Sequence, residues 1–527
     1  MAKVSKQGAH MTIRRLRPTS SLEAYKGLTA FAGDLHNHCG ISYGHGSIED
    51  AYRNAQLQLD FASVTGHANW HDMPADPAHV ATYHTEGFKR LQNSWEHVQD
   101  VTEQAHTEGE FVSFLSFEWH SMTYGDHCVY YKSARGPLAP AQANSLEELR
   151  TNLRNLNTNG FQSMILPHHI GYSAGRRGIN WDTFSEELSP VIELVSMHGS
   201  GEADLSPRPY LHTMGPRDLG SVATTGLARG NKFGFIGSTD HHSAHPGSHG
   251  YGVAMVWAEE LSRDAIWDAI QARRTYAITG NSIMLAVSLN GVQMGQTAAP
   301  AENRKLEIEV NGGSRLEAVE IIKNGSIIAS NVPAKNINLE EMFVGTLSAG
   351  FGWGEVGVNV DWDAEIELIG GEVETFEPRL RGYDTLADQA GETEKYSFSE
   401  IKQLADNRWS LRTRTYGNPT TTTDASQQFA IHVKAPLDAV LKVKANGKTL
   451  TRTIREQLEG PKVEYVGGFI SGAFVIQSAV RKSEKYLHWQ FEDKVDKSSS
   501  DLYYIRVKQA NDQFAWSSPI WVEGADD

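Results

Sequence analysis

Between about residue 28 and residue 280, short apolar runs alternate with longer segments of helical periodicity. Strands that alternate with helices favour a mainly parallel sheet, and here there are enough strands for the sheet to close into a barrel. In such barrels the chemistry lies where strands end and loops begin. The apolar runs that predict the strands lie near 29–35, 60–66, 111–117, 127–132, 161–166, 191–197, 233–238 and 252–257.

The segments between these runs show helix signals. A capping serine opens residues 47–59 with two acidic residues in the first turn, and Ser-Leu-Glu-Glu opens residues 145–157. Residues 85–108 and 261–273 place apolar side chains at the spacing of one buried helical face. We therefore predict four helices between the strands.

After about residue 281 the helical periodicity weakens, and strand-like runs with turn signals replace it. Asn324-Gly325 and Asn446-Gly447 each separate apolar segments, which is typical of a hairpin. We predict a β-rich, sandwich-like accessory region over residues 281–527. Within it, residues 343–357 and 379–424 are predicted to be long loops or a lid.

The first 27 residues carry basic side chains without an apolar stretch after them, so they do not form a secretory signal. They are predicted to be a leader that could be disordered, and the cytoplasm is the default compartment. No apolar run approaches the ~20 residues that a membrane-spanning helix needs.

Composition limits the partners of this chain. Its 527 residues are 40% hydrophobic and 21% charged, which is typical of a soluble globular protein of two to four domains. The formal net charge of −16 argues against nucleic acid or an anionic membrane as a partner. A small-molecule substrate fits better, and a homo-oligomer is left open.

Histidines cluster where the predicted strands end. His36 and His38 end the first apolar run, and side chains two apart on a strand point the same way, so both can hold one metal ion. His45 follows on a glycine-rich loop that can fold back. A pair of half-exposed histidines at a strand end is the alternative for this stretch. Further strand ends carry His67, Glu118 with His120, His168 with His169, and Asp240 with His241 and His242, whereas His127 opens a strand.

The two cysteines, Cys39 and Cys128, cannot form a disulfide framework. Each directly follows a histidine of interest. Because adjacent residues of a strand point to opposite faces, we predict that both cysteines are packing residues, with a thiolate ligand as the alternative.

In their order, these motifs resemble the PHP (polymerase and histidinol phosphatase) superfamily of metal-dependent hydrolases over roughly residues 28–275. Glu118-Trp119 and Gly125-Asp126-His127 are similar to a less characterised branch that includes carbaryl (aryl carbamate) hydrolases. The resemblance rests on Asp34-Leu35-His36-x-His38, a strand ending in His67, an isolated Glu118, Pro167-His168 and Asp240-x-His242.

The resemblance implies an α/β fold, a distorted seven-stranded (β/α)7 barrel, with two or three divalent ions at the strand ends. Zn²⁺, Mn²⁺ or Fe²⁺ suit mixed nitrogen and oxygen ligands. Many family members have Asp where this chain has Gly66, which weakens the third site only slightly. By position, the implied ligands are His36, His38, Glu118 and Asp240 for one ion, Glu118, His127 and His168 for a second, and His45, His67 and His242 for a third.

Catalytic and substrate contacts are also predicted. Glu118 is expected to bridge two ions, and His198 or His169 to stabilise the developing oxyanion. Three arginines that follow strands could clamp a substrate carboxylate or phosphate: Arg176, Arg177 and Arg208. For each of them, an arginine on the surface of a polar loop is an equally good interpretation. His120 is a candidate substitute ligand, and His241 has no assigned role.

Three functions are open at this point. The first is hydrolysis of an ester, carbamate or amide in a small organic molecule. The second is phosphomonoester or phosphodiester hydrolysis. The third is a glycan- or protein-binding module on a degenerate barrel, for which the tryptophans of the β-rich half would provide a surface unless they pack in its core. Those tryptophans are Trp353, Trp362, Trp409, Trp489, Trp516 and Trp521.

Overall fold

The structure is a computed structural model, which describes residues 17–212, 214–334, 342–356, 358–383, 398–416 and 424–524. It is a mixed α/β structure rich in sheet. The described residues form two compact units. The major unit contains residues 17–334, 381–383 and 483–524, and the inserted unit contains residues 342–380 and 398–482.

The major unit begins with five helices and seventeen strands among the described residues. The helices are α1 (Ile48–Gln58), α2 (Ala78–Ala105), α3 (Leu146–Thr158), α4 (Ala223–Ala228) and α5 (Arg263–Gln271). The strands are β1 (Thr29–Asp34), β2 (Phe61–Ser63), β3 (Gly66–Trp70), β4 (Val112–His120), β5 (His127–Tyr131), β6 (Ser163–Pro167), β7 (Val191–Ser196), β8 (Gly199–Ser200), β9 (Gly234–Gly237), β10 (Val253–Ala258), β11 (Thr275–Ile278), β12 (Met284–Leu289), β13 (Val292–Gln293), β14 (Thr297–Ala298), β15 (Asn303–Asn311), β16 (Leu316–Lys323) and β17 (Ser326–Asn331).

The predicted helix starts are confirmed where serine caps them. Ser47 accepts a hydrogen bond from the Asp50 amide before α1, and Ser145 accepts one from the Glu148 amide before α3. Each serine satisfies one of the amides that the first turn of a helix leaves without an internal partner.

The inserted unit consists of antiparallel strands with one short helix. The strands are β18 (Met342–Trp353), β19 (Asn359–Ile369), β20 (Glu372–Arg379), β21 (Ser399–Ala405), β22 (Arg408–Tyr416), β23 (Gln427–Pro436), β24 (Val440–Ala445), β25 (Lys448–Thr453), β26 (Lys462–Tyr465), β27 (Gly472–Ile476) and β28 (Val480–Arg481), and the helix is α6 (Ile454–Glu459). They form two sheets, β20-β23-β18-β27-β26 with β28, and β21-β22-β19-β24-β25.

The loops predicted in this half are partly wrong. Residues 343–357 were expected to be a loop because they are rich in glycine, but most of them form β18, where glycine permits close packing. A Cβ at Gly345 would lie 2.1 Å from the Val480 carbonyl oxygen. Within 379–424, the described residues include β21 and β22, while 384–397 and 417–423 lie outside the described residues.

A last helix and four strands follow, α7 (Lys482–Lys485), β29 (Tyr486–Lys494), β30 (Asp501–Gln509), β31 (Phe514–Ser517) and β32 (Ile520–Val522). The main path of the largest sheet in the major unit is β14-β32-β30-β31-β11-β10-β1-β2-β4-β5-β6. Because β31 pairs with β11, with Trp516 opposite Ala277, the end of the chain belongs to this sheet. The major unit therefore continues past residue 281, where the β-rich region was predicted to begin, and it also includes the end of the described chain.

The sheet is mixed, which corrects the expectation of a mainly parallel one. β1 with β2, β2 with β4 and β3 with β4 are parallel, whereas β4 with β5 and β5 with β6 are antiparallel. Only residues 121–126 separate β4 from β5, which is too short for the crossover that parallel neighbours need. A separate sheet, β8-β7-β9, contains the parallel pair β7 and β9.

The part of the predicted leader that the structure describes is packed against the major unit. Tyr25 is 1% exposed, and its hydroxyl donates to the Val287 carbonyl at 2.7 Å. Residues 1–16 lie outside the described residues. Among the helices described, none combines the length and the apolar character needed to span a membrane.

Candidate metal centre

A buried carboxylate joins two of the strand ends that carry the histidines. Asp34 ends β1, and its Oδ1 accepts hydrogen bonds from the amides of His36 and Thr239, each at 3.1 Å. Its Oδ2 accepts from the Gly247 amide at 2.8 Å. Burial raises the pKa of Asp34 to about 6, and these donors lower it. Asp34 therefore fixes the segment after β1 beside the segment after β9.

That connection brings His36, His38 and Asp240 together. The two imidazole Nε2 atoms lie 3.1 Å apart. Asp240 Oδ1 lies 3.1 Å from His38 Nε2 and 3.4 Å from His36 Nε2. Two imidazole nitrogens and one carboxylate oxygen thus meet just beyond the end of β1.

Glu118, near the end of β4, lies among four histidines. Its Oε1 is 2.9 Å from His168 Nε2 and 3.3 Å from His120 Nδ1. Its Oε2 is 3.3 Å from His67 Nε2 and 3.6 Å from His38 Nε2. Among the described residues, no donor makes a hydrogen bond of good geometry to Oε2. Glu118 is only 2% exposed, so its charge has little access to water.

A layer of stacked rings forms the other side of this arrangement. The His38 ring stacks on His67 with centroids 3.8 Å apart, and the His242 ring lies 4.4 Å from His38. Tyr43 stacks on the other face of His67 at 3.5 Å. One ring nitrogen from each of the three imidazoles lies within 4.8 Å of the others, so they could hold an ion together.

Oxygen atoms orient three of these imidazoles from behind. An Nδ1–H that donates to oxygen leaves Nε2 with its lone pair toward the cluster, the usual arrangement of metal-binding histidines. The pairs are His36 Nδ1 with Glu193 Oε2 at 2.7 Å, His67 Nδ1 with Ser42 Oγ at 2.9 Å, and His242 Nδ1 with the Asp240 carbonyl at 2.8 Å.

The electrostatics of the cluster favour a cation. Burial lowers the pKa of His36, His67 and His168 well below the usual value, so these imidazoles are neutral donors near pH 7. Burial, together with Asp126 and Asp240, raises the pKa of Glu118, because its negative charge is poorly compensated. Neutral imidazoles around buried carboxylates are the ligand set that Zn²⁺, Mn²⁺ and Fe²⁺ take, so these residues fit a divalent ion.

Several overlapping sets of donors could hold an ion. In each set, one ligand atom from every residue lies within 4.8 Å of the others. These sets include His36-His38-Glu118, His38-His67-His242, His67-Glu118-His120, His36-Cys128-His168 and Asp126-His168-His169.

The structure does not bring His127 to Glu118. In the β4–β5 ladder His127 lies opposite Trp119, and Cys128 lies opposite Glu118. Directly opposed residues of an antiparallel pair share a face, so His127 points away from the cluster. Its Nδ1 donates to the Gly125 carbonyl at 2.8 Å.

The two cysteines differ in their surroundings. Cys39 is fully buried in the hydrophobic core, as a packing residue is. Cys128 shares the face of Glu118, and its Sγ lies 3.7 Å from His168 Nδ1. The expectation that Cys128 only packs therefore overlooked its contact with a predicted ligand.

The two histidines predicted to assist catalysis both reach Asp240. His198 Nε2 lies 2.9 Å and His169 Nε2 lies 3.2 Å from Asp240 Oδ2. His169 Nδ1 lies 3.1 Å from Asp126 Oδ2, so this ring bridges two carboxylates. Two further histidines from the predicted motifs are connected to the cluster residues through their backbones. The His45 amide donates to the His242 carbonyl at 2.8 Å, and the His241 carbonyl accepts from the His38 amide at 2.7 Å.

Of the three predicted arginines, one reaches the cluster. Arg177 forms a partly buried ion pair with Asp126, with Nε and Nη2 at 2.7 and 2.6 Å from Oδ2. Arg176 is exposed. Arg208 pairs with Asp512 and donates to the Gly250 carbonyl, and no described contact joins it to the cluster.

Asp126, Glu193 and Ser42 are not among the site residues predicted from the sequence. Asp126 stands in the Gly-Asp-His motif, and its neighbour His127 was chosen instead. Glu193 is the only charged residue in the apolar run of β7, and an isolated carboxylate in a buried strand is the signal that could have identified it. Ser42 carries no comparable signal, because serine is common in loops.

The family described as proteins of unknown function (DUF3604) matches residues 248–312. The chain is also similar to uncharacterized proteins of Chlamydia. It is 24% identical to one from Chlamydia pneumoniae over 175 residues, which cover 30% of this chain and 28% of that protein. It is 25% identical to one from Chlamydia trachomatis over 176 residues, with the same coverage. The match thus spans about 28% of the length of these curated relatives.

Among solved structures, the chain is similar to a two-domain protein from Bacteroides vulgatus that contains a predicted PHP-like metal-dependent phosphoesterase. The alignment covers 84% of this chain and 99% of that chain at 12% identity, with a TM-score of 0.32. A TM-score this low does not establish a common fold.

Proposed function

We propose that the chain is a metal-dependent hydrolase of the PHP type, with its donors arranged at the strand ends of a distorted barrel. The observation that carries this proposal is the position of Glu118, a buried carboxylate with four imidazole nitrogens within 2.9–3.6 Å. Without a cation, carboxylates and neutral imidazoles would face one another with their lone pairs, which is unfavourable in a buried site.

His36, His38, Glu118 and Asp240 would hold one ion, and His67 and His242, with His38 beside them, a second. When bound, such ions lower the pKa of a coordinated water toward neutrality, so that hydroxide is available as the nucleophile. Glu118 directs one carboxylate oxygen to each side, toward His168 and toward His67. The carboxylate is therefore placed to link the two positions.

The two carboxylate oxygens of Asp240 contact different histidines. Oδ1 faces His36 and His38, and Oδ2 is held by His169 and His198. His198, with Nε2 2.9 Å from Oδ2, is placed to take or return the proton that hydrolysis moves. His169 is fixed between Asp126 and Asp240, which keeps the Asp240 carboxylate in one orientation.

For the bond that is cleaved, we propose a carboxylic ester, carbamate or amide in a small organic molecule. Support comes from the charge of the chain and of its site. The net charge of −16 and the buried carboxylates Glu118, Asp126, Glu193 and Asp240 disfavour a strongly anionic substrate. We place the protein in the cytoplasm and expect no nucleic-acid partner.

A substrate panel tests the proposal. Protein purified without chelator and supplied with Mn²⁺ or Zn²⁺ is assayed with p-nitrophenyl acetate, an aryl carbamate, p-nitrophenyl phosphate and bis-p-nitrophenyl phosphate. We expect cleavage of the acetate or the carbamate, loss of turnover with a chelator, and its return with added metal. Cleavage of the phosphate substrates alone would replace the carbonyl assignment with a phosphoesterase. No metal-dependent turnover on any substrate would contradict the hydrolase.

A further inference from the structure

Arg177 reaches the cluster from an exposed loop through a constrained backbone. Its φ of 68° lies in the left-handed region, which is costly for a residue with a side chain. Gly178 follows it, and a Cβ there would lie 1.7 Å from the Tyr172 carbonyl oxygen. The loop of Gly125 packs against it, since a Cβ at Gly125 would lie 2.8 Å from the Gly178 carbonyl oxygen. Two glycines thus bring Arg177 to Asp126.

The Arg177 guanidinium donates hydrogen bonds to the acceptors around it. Asp126 Oδ2 receives Nε and Nη2 of Arg177, and Asp126 Oδ1 receives the Ser121 amide at 2.9 Å. Arg177 Nη2 also lies 3.1 Å from His120 Nδ1. Because arginine only donates, that Nδ1 is an acceptor, and His120 Nε2–H donates to the Tyr43 hydroxyl at 3.2 Å.

The positive charge of Arg177 lies next to Glu118, the proposed bridging carboxylate. His120 Nδ1 is 3.3 Å from Glu118 Oε1 and 3.1 Å from Arg177 Nη2, so one ring atom separates the guanidinium from Glu118. The guanidinium also lies over the Trp70 ring, 4.9 Å from its centroid. A planar cation is therefore held on three sides, by a carboxylate, an imidazole and an indole.

We propose that the Arg177 guanidinium is the resident cation beside Glu118, in place of the ion that the family resemblance assigns to Glu118, His127 and His168, so that this chain holds two ions instead of three. The inference rests on the proposed function. His127 points away from the cluster, and the acceptors that could replace it, Asp126 and His120, are engaged by Arg177. His168, whose Nε2 lies 2.9 Å from Glu118 Oε1, would then join Glu118 at the first ion. A fixed positive charge also repels a further divalent ion from this side.

Diffraction from crystals of the full chain grown with Mn²⁺ tests this directly. Anomalous peaks are expected beside Glu118 with His36 and Asp240, and beside His67 with His242. A third peak beside Glu118 and His168 in the unaltered protein, whether its further ligand is Asp126, His127 or Cys128, would overturn the inference and leave the hydrolase intact. A protein that binds no ion would overturn the proposed function itself.

Metal content provides the second measurement, with matched variants. Arg177→Met removes the charge and keeps much of the length, so the Mn²⁺ content at saturation should rise by about one equivalent, because Asp126 needs a new cation. Arg177→Lys and the exposed neighbour Arg176→Met should stay at the unaltered value. A folded Arg177→Met protein with unchanged Mn²⁺ content would contradict the proposal. If that variant does not fold, the diffraction experiment on the unaltered protein decides.

Discussion

The two faces of the β4–β5 ladder are both buried and both carry histidine, yet they have different surroundings. On one face, Glu118 and Cys128 lie opposite each other, with carboxylates and imidazoles around them. On the other face, Trp119 and His127 lie opposite each other. There the Trp119 indole donates to the Ala143 carbonyl, and His127 donates to the Gly125 carbonyl.

The comparison shows that burial and residue type do not by themselves make a histidine a ligand. His120 and His127 are both fully or nearly buried, and burial lowers the pKa of each to about 4. The face of the strand decides their neighbours. His120 meets the carboxylates of Glu118 and Asp126, whereas His127 is surrounded by aromatic packing and a backbone acceptor.

The largest effect is expected from Glu118→Gln, on the inward face. The amide keeps the volume but cannot link two cations, so kcat/KM should fall on the order of 10³-fold or more, about 4 kcal/mol. Kinetics with the best substrate of the panel measure the loss, and circular dichroism checks that the fold is kept. Turnover close to that of the unaltered protein would remove Glu118 from its bridging role.

On the outward face, His127→Asn should change acid stability instead of activity. Burial lowers the pKa of His127 to about 4, below the unfolded value near 6.5, so between these pH values the unfolded state binds more protons. Stability is therefore lost as pH falls from about 6.5 to about 4, by about 3 kcal/mol for this residue. Asparagine keeps a donor for the Gly125 carbonyl and does not titrate. The free energy of unfolding of the variant should therefore fall less as the pH is lowered.

Denaturant unfolding at several pH values measures this difference. The same substitution at the exposed His97, which lies outside the ladder, provides the surface control. Equal pH slopes for His127→Asn and the unaltered protein would show that His127 is not held neutral.

A smaller effect is expected when the support of an inward histidine is removed. Ser42→Ala deletes the oxygen that orients His67, and such losses typically weaken metal binding about 10–100-fold. Mn²⁺ titration measures the affinity, with Ser326→Ala in an exposed hairpin as the control. Unchanged affinity in Ser42→Ala would mean that His67 needs no such support or binds no ion.

The smallest effect is expected from Cys128→Ala. Its sulfur is a weak hydrogen-bond partner for His168, so metal affinity should fall less than about ten-fold. Cys39→Ala, which alters only core packing, should leave the affinity unchanged. A larger loss in Cys128→Ala, with a thiolate absorption band in the Co²⁺-substituted protein, would make Cys128 a direct ligand.

The sequence predicted the features that local rules control. Serine caps marked the starts of α1 and α3, and the spacing of His36 and His38 anticipated that both point the same way. The grouping of these residues with Glu118 and Asp240 was implied by the resemblance of their motifs to the PHP superfamily.

What the sequence could not provide depends on pairing between distant segments. The face on which His127 lies follows from the register of β5 against β4, and the choice between His127 and its neighbours turns on a shift of one residue. The extent of the major unit depends on β31 pairing with β11, far apart in the chain. The role of Arg177 depends on two loops that meet at glycines.

The central claim is that the inward face of the ladder holds divalent ions and the outward face does not. Equilibrium Mn²⁺ binding to chelator-treated protein, followed by electron paramagnetic resonance, tests it in the unaltered chain, Glu118→Gln and His127→Asn. We predict the same Mn²⁺ stoichiometry for the unaltered chain and His127→Asn, and a clear loss of bound Mn²⁺ for Glu118→Gln. Loss of Mn²⁺ in His127→Asn, or full binding in Glu118→Gln, would contradict the claim.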